Sequence, residues 1–221
     1  MADKRIPKSG PFEEHSKRYD DWFEDHEDIY RSELKAVEKA VPSDGRGIEI
    51  GVGSGRFSEP LSIDFGVDSS NEILQIAKKR DIEVVKAIGE KMPFRDGSFD
   101  YVLIVTTICF FDDPLKALKE SARILKPEGR VIIGFIDKES QVGKIYQKKK
   151  EDNVFYKNAY FFAVEDVIDI LKSIGFFDLS FYQTIFDGLD KGKIEQPKEG
   201  HEEGSFLVVS GLKSEADIGR S

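Results

Sequence analysis

Ile48-Glu49-Ile50-Gly51-Val52-Gly53-Ser54-Gly55-Arg56-Phe57 is the stretch whose reading decides the fold. A short apolar run leads into glycines at every second position, so a buried strand is expected to end there and a helix to begin. Glycine tolerates positive φ and has no side chain, which lets a ligand press against bare backbone, while the first turn of a helix offers unpaired N–H groups. Such a turn suits a small polar cofactor.

The spacing separates two cofactor classes. A dinucleotide turn, GxGxxG, needs its last glycine one place after Gly55, and Arg56 stands there. Asp68 follows at the end of a second apolar run, Ile63 to Val67, where an acidic side chain can accept both hydroxyls of a ribose. The glycines alone would serve equally as a structural turn; with Asp68 they point to an adenosine-type ligand.

Further along stand Gly89-Glu90-Lys91-Met92-Pro93-Phe94-Arg95-Asp96-Gly97-Ser98-Phe99-Asp100 and Ala117-Leu118-Lys119-Glu120-Ser121-Ala122-Arg123-Ile124-Leu125-Lys126-Pro127-Glu128-Gly129-Arg130. Together with the glycine loop and Asp68, these segments resemble the class I S-adenosylmethionine-dependent methyltransferases, in particular the small-molecule branch that includes the quinone-biosynthesis methyltransferases. The first resembles that branch's acidic-x-Leu-Pro-Phe-x-x-Gly-x-Phe-Asp motif, the second its helix and Leu-Lys-Pro-Gly-Gly stop. The resemblance implies an α/β fold: a three-layer, Rossmann-like, seven-stranded sheet in the order 3-2-1-4-5-7-6, its last strand antiparallel, with helices on both faces. It also implies S-adenosyl-L-methionine as cofactor and methyl transfer to a small-molecule N, O, S or C nucleophile by in-line displacement. A nicotinamide-dependent oxidoreductase and a non-catalytic binding module of the same fold are the alternatives.

Composition narrows the partners. The 221 residues carry a formal charge of -9, and 34% are charged. A polyanion is therefore repelled, and nucleic acid is disfavoured as substrate. Lys148-Lys149-Lys150 is the one dense basic run and reads as a solvated helix face. Cys109 is the only cysteine, so neither an intramolecular disulfide nor a thiolate metal site is expected. Met1 to Pro11 lacks an apolar leader core, and no apolar run approaches membrane-spanning length. A cytoplasmic protein with no membrane partner is expected.

Read in order, Phe12 to Ala40 is helical in pattern, and residues 1–45 are expected to form a helical lid segment. Strands are expected at Ile48–Ile50, Ile63–Val67, Glu83–Lys86, Tyr101–Val105 and Val131–Ile136, with helices at Phe57–Leu61, after a cap at Ser69 or Ser70, and over Leu115–Leu125. Tyr101–Val105 is apolar on both faces, the mark of a central parallel strand. Leu179–Phe186 and Phe206–Leu212 are expected as two further strands behind a helix over Val164–Ile174; their closeness permits a hairpin, and the resemblance implies one. The expected organisation is the lid, a methyltransferase domain over residues 46–213 with 137–163 as a substrate-side insertion, and a tail over 214–221.

The resemblance implies roles residue by residue. Gly51, Gly53 and Gly55 would contact the methionine part of the cofactor and Asp68 its ribose, with Ser69 beside it. Glu49 would either orient the ammonium or brace the loop. Gly89 and Glu90 would border the adenine through backbone groups, Met92 would pack on its face, and Val105 would sit on the same sheet edge. Tyr19, in Tyr19-Asp20-Asp21-Trp22, would approach the cofactor from the lid or else simply pack the lid on the sheet. Ile88 and Ser69 depart from the family, which has an Asp and an apolar residue there. The loop Thr106-Thr107-Ile108-Cys109-Phe110-Phe111 lacks the Asn/Asp-Pro-Pro-aromatic motif of amino-directed DNA methyltransferases and the Pro-Cys nucleophile of cytosine-C5 enzymes. His15, His26 and His201 read as surface residues rather than bases, and no metal site is expected. The aromatic cluster Phe155 to Phe162 is open to three roles: pocket wall, core or dimer face.

Overall fold

The computed structural model describes residues 10–189 and 192–214; most of the expected tail, and the first nine residues of the expected lid, lie outside them. Five strands run parallel: β1 (Gly47–Ile50), β2 (Phe65–Asp68), β3 (Glu83–Lys86), β4 (Phe99–Val105) and β5 (Leu125–Ile136). Three more complete the sheet: β6 (Phe176–Thr184), β7 (Lys198–Glu199) and β8 (Phe206–Lys213). The order is β3-β2-β1-β4-β5-β8-β6-β7, with β8 antiparallel to both β5 and β6. This is the expected order with one strand added, because the two-residue β7 pairs with the outer edge of β6 through Tyr182–Glu199 and Gln183–Lys198. Its Lys-Glu pair has no apolar alternation, so only the edge it meets makes it a strand.

The helices are α1 (Gly10–Glu14), α2 (Ser16–Asp25), α3 (Glu27–Glu38), α4 (Asn71–Lys78), α5 (Pro114–Ile124), α6 (Gln141–Lys148) and α7 (Val164–Ser173). Several starts are capped as the sequence pattern requires. Ser70 accepts from the Ile73 N–H, Asp113 from Lys116 with Pro114 in the first turn, and Ser140 from Gly143. The helix expected at Phe57–Leu61 is instead a run of turns with isolated bonds, Glu59 N–H to Gly55 and Leu61 N–H to Phe57. Pro60 falls between those donors and has no N–H to continue the ladder.

Both faces of the sheet are covered, and strand periodicity sorts the side chains. On β4, Val102 and Ile104 join the core beneath α5 and α7, while Tyr101, Leu103 and Val105 join the core that includes Phe23, Ala36 and Val37 of α2 and α3. On β5, Val131 and Ile133 take the first side and Ile132 the second. A strand buried on both faces has no polar side, which explains its continuous apolar reading. Leu103 is 0% exposed, whereas Phe177 on β6 is half exposed at 50%. Leu103→Ala is expected to cost about 2–5 kcal/mol through lost burial and a residual cavity. Phe177→Ala should cost much less, and urea midpoints with an unchanged m-value check the contrast.

Candidate active site

A cleft opens at the carboxyl ends of β1, β2, β3 and β4, where the strand order reverses between β1 and β4, the usual ligand position in open α/β sheets. Its volume is about 170 Å³. Gly51 and Gly53 line it after β1, Asp68 and Ser69 after β2, Ile88, Gly89 and Glu90 after β3, and Thr106 to Asp112 in part after β4. Phe12 and Tyr19 reach in from α1 and α2.

Each wall has a physical cause. Gly53 has φ +53°, and a Cβ added there would stand 3.4 Å from the Tyr19 ring, on the side where the loop faces the cleft. Gly51 has φ +74°, and its missing side chain is space already taken by Thr107. Asp68 accepts N–H bonds from Gly53 at 3.1 Å and Ser70 at 2.9 Å. Burial pushes its carboxyl up, and those N–H groups with that of Ser69 pull it partly back. Thr106 is β-branched yet has φ +49°, a strained conformation of the kind that collects at ligand sites.

The segment after β3 is held from behind. Glu90 spends its carboxylate on the N–H groups of Asp112 (2.8 Å) and Asp113 (3.1 Å), so it meets the cleft as a brace of the loop. Arg123 of α5 donates to the carbonyls of Phe94 and Met92 and pairs with Glu120 and Asp96, while Glu120 accepts from Met92 N–H. The roof is held by charge. Asp20 of α2 receives Arg56 in a two-pronged contact, Nε at 2.7 Å and a terminal nitrogen at 2.9 Å, and also Arg80 at 3.2 Å. Burial would raise the Asp20 carboxyl, but hydrogen bonds from Arg56 and the Arg80 charge together hold it below its ordinary value. Arg56, which stands where a dinucleotide turn needs glycine, is thus committed to the roof.

Seven of the residues expected at the site come together around the cleft: Tyr19, Gly51, Gly53, Asp68, Ser69, Gly89 and Glu90. Four do not line it. Glu49 is buried behind β1, its carboxylate bonded to Ser58. Gly55 faces Ile82 and Ala77, making room for α4 to pack on the loop. Met92 and Val105 are buried in the two cores on either side of the sheet. Among the residues sequence reasoning missed, Phe12 and Phe111 carry no local signal, since each is an ordinary apolar residue until the chain folds.

A second cavity, about 320 Å³, adjoins the first and shares Phe12, Tyr19, Thr106 and Phe110 with it. Its walls are aromatic: Trp22 and Phe23 from α2, Tyr146 from α6, and Phe155 and Tyr156 from the cluster that follows. The cluster therefore divides, since Tyr160 is 61% exposed and Phe162 is core. His26 also lines this cavity, stacked on Trp22 at 4.6 Å, which corrects its reading as a mere surface residue. The connection before β7 closes one side: Gly192 N–H bonds to Asp28, Glu195 N–H to Ser32, and Leu189 faces the cavity.

Glu33 of α3 lines the same cavity, is 5% exposed, and its carboxylate has no hydrogen bond or ion pair among the described residues. Burial pushes it from 4.5 up to about 8. No group of three or more His, Cys, Asp or Glu among the described residues could hold a metal, and none of the described helices is long and apolar enough to cross a membrane.

A parallel sheet with a glycine cradle, an acidic residue at the next strand end and an adjoining apolar cavity defines a methyltransferase-type domain, and residues 48–133 match the family model for a methyltransferase domain. A Thermotoga maritima S-adenosylmethionine-dependent methyltransferase, described in its crystal structure as a possible histamine N-methyltransferase, is 47% identical, covers 93% of this chain and 100% of its own, and superposes with a TM-score of 0.91. An uncharacterized protein of Methanocaldococcus jannaschii is 45% identical over 91% of this chain and 98% of its own. The demethylmenaquinone methyltransferase of Staphylococcus aureus is 30% identical over 60% of this chain and 62% of its own. The chain belongs to the S-adenosylmethionine-dependent methyltransferases.

Two predictions follow from the charges. Asp20→Ala leaves Arg56 with the exposed Glu24 and the backbone carbonyl of residue 20, and Arg80 with the exposed Glu59 and the Ser54 carbonyl, and is expected to lower stability by about 1–3 kcal/mol in urea unfolding; Glu24→Ala should change it by no more than about 1 kcal/mol. Glu33, like Glu49, is raised from 4.5 to about 8, so between those values the folded state holds protons that the unfolded chain has released. Stability must then fall as pH rises through that window. Glu33→Gln is expected to flatten the profile, and parallel profiles for the two proteins would show that Glu33 titrates alike folded and unfolded.

Proposed function

We propose that the first cleft holds S-adenosylmethionine, that the aromatic cavity beside it admits a small-molecule methyl acceptor, and that α1 and α2 act as the lid over both. The observation that carries this reading is the junction of the two cavities, where Tyr19, Thr106, Phe110 and Phe12 are common walls. The residues fit the cofactor: Gly53 leaves open the space a Cβ would enter, and Asp68 is an acceptor on the cleft wall. Asp68 would hold the ribose, the backbone of Gly51 and Gly53 the amino-acid end, and the loop from Ile88 to Glu90 with Phe111 the base.

S-adenosylmethionine supplies a methyl group already activated by a sulfonium, so the protein needs chiefly to align acceptor and donor and keep water out. Alignment of this kind can contribute about 7–11 kcal/mol in favourable geometry. Tyr19 and Phe12 do both, because they close the roof over the junction and are held there by the Asp20 contacts with Arg56 and Arg80. The description of the Thermotoga maritima relative as a possible histamine N-methyltransferase supports a small molecule as acceptor.

Isothermal titration with S-adenosylmethionine tests the cofactor site. Asp68→Ala is expected to weaken binding at least about tenfold through lost hydrogen bonds to a charged acceptor. Gly53→Val should be worse, since a branched side chain at φ +53° is strained and intrudes on the cleft. Trp22 is the only tryptophan and lies in the roof, so its emission should change saturably in the same titration. Normal affinity in both folded variants would remove the loop from the site, and unaltered emission would leave α1 and α2 as packing alone.

A further inference from the structure

We infer that the aromatic cavity selects a cationic acceptor, a small ammonium compound with a flat apolar body, and that Glu33 is the residue that recognises its charge. This rests on the reading of the first cleft as the cofactor site and adds to it the charge of the acceptor and the side chain that meets it.

The buried glutamates supply the comparison. Among the described residues, Glu49 bonds to Ser58, Glu90 accepts from Asp112 and Asp113, and Glu195 accepts from Phe186 and Asp187. Each of these three is explained by the structure it braces. Glu33 braces nothing among the described residues: it lines the cavity and its carboxylate has no partner among them. A carboxyl group buried without a partner destabilises a fold, and an apolar side chain of the same size at that helix position would be more favourable. The side chain is accounted for if the partner arrives with the ligand.

The surroundings favour a cation. Trp22, Phe23, Phe110, Tyr146, Phe155 and Tyr156 line the cavity, so its walls are aromatic, a surface that attracts positive charge and matches a flat body. The other charged or titratable side chains on the cavity are Arg18, His26 and the tyrosines 19, 146 and 156. Arg18 is exposed at the mouth, with its guanidinium 5.9 Å from the Phe155 ring centre, and His26 bonds the Trp22 carbonyl with Nδ1. Neither neutralises Glu33. Burial by itself favours the protonated carboxyl; an ammonium beside it would favour the carboxylate and replace the solvation lost on folding. An anionic acceptor would meet the same group with the opposite sign.

The test uses Trp22 emission on the full chain, titrated with 2-phenylethylamine and butylamine and with their neutral counterparts 2-phenylethanol and butanol, with and without saturating S-adenosylhomocysteine. At least one amine is expected to bind saturably and at least about tenfold more tightly than its alcohol. Glu33→Gln should abolish that preference while leaving the titration with S-adenosylmethionine unchanged. Equal or tighter binding of the alcohols, no saturable binding of either amine, or a preference that survives in Glu33→Gln would overturn the inference. If Glu33→Gln does not fold, the amine-to-alcohol comparison in the unaltered protein decides alone. Failure of the cofactor site would show separately, as absent S-adenosylmethionine binding, with the amine preference still readable without the nucleoside.

Discussion

The site depends on one carboxylate gripped by two arginines. Asp20 on α2 joins Arg56 of the glycine loop and Arg80 just past α4, and Arg80 also donates to the Ser54 carbonyl at 2.7 Å. These contacts fix the N-terminal helices to the turn that shapes the first cleft. Together with the Glu13 contact to Ser70 and the ring packing of Phe12 and Tyr19 on Phe155, they place the roof of both cavities. An ion pair this sheltered is not an efficient source of stability, because desolvating its members offsets much of their attraction. Its value is geometric: a planar guanidinium and a planar carboxylate meet in one orientation, and that orientation sets where Tyr19 stands over Gly53.

A second brace works from the opposite end of the sheet edge. Arg123 and Glu120, on one face of α5, tie down the backbone at Met92 and Phe94, while Glu90 ties the start of that loop to Asp112 and Asp113. The motif around Pro93 and Phe94 is therefore largely a fastening for the loop that borders the first cleft. The contrast with Glu33 is physical. Carboxylates that brace backbone N–H groups satisfy their lone pairs within the fold; among the described residues none donates a hydrogen bond to Glu33, which lines a wall of rings.

Much was legible in the sequence. Alternation and continuous apolar runs marked β1 to β5 and β8, because burial on one or both faces of a sheet imposes a period that a short window displays. Glycine spacing together with Asp68 marked the cofactor class, since a ligand pressed against backbone excludes side chains locally. Seven expected residues did gather at the cleft for that reason. Direction was not legible there: Gly55, Met92 and Val105 lie in the expected segments yet face Ile82 and the two cores, and Glu49 bonds Ser58, in keeping with the bracing one of its two expected roles. A motif places a residue on a strand end, whereas its neighbours across the fold decide which way the side chain points.

By itself the sequence marked most strands, the glycine cradle and the acidic strand end, which rest on local period and spacing; the sheet order and the family came from the resemblance of its motifs to the methyltransferases. Tertiary structure alone decided that Arg56 meets Asp20 at a separation of 36 residues and that Ser32 meets Glu195 at 163, and so which loops close the second cavity. It also made a strand of Lys198 and Glu199 and left Glu33 facing a cavity rather than solvent. Pairings between distant charged residues leave no periodic trace in a chain where 34% of residues are charged, because every acidic side chain then has many candidate partners and only packing selects one.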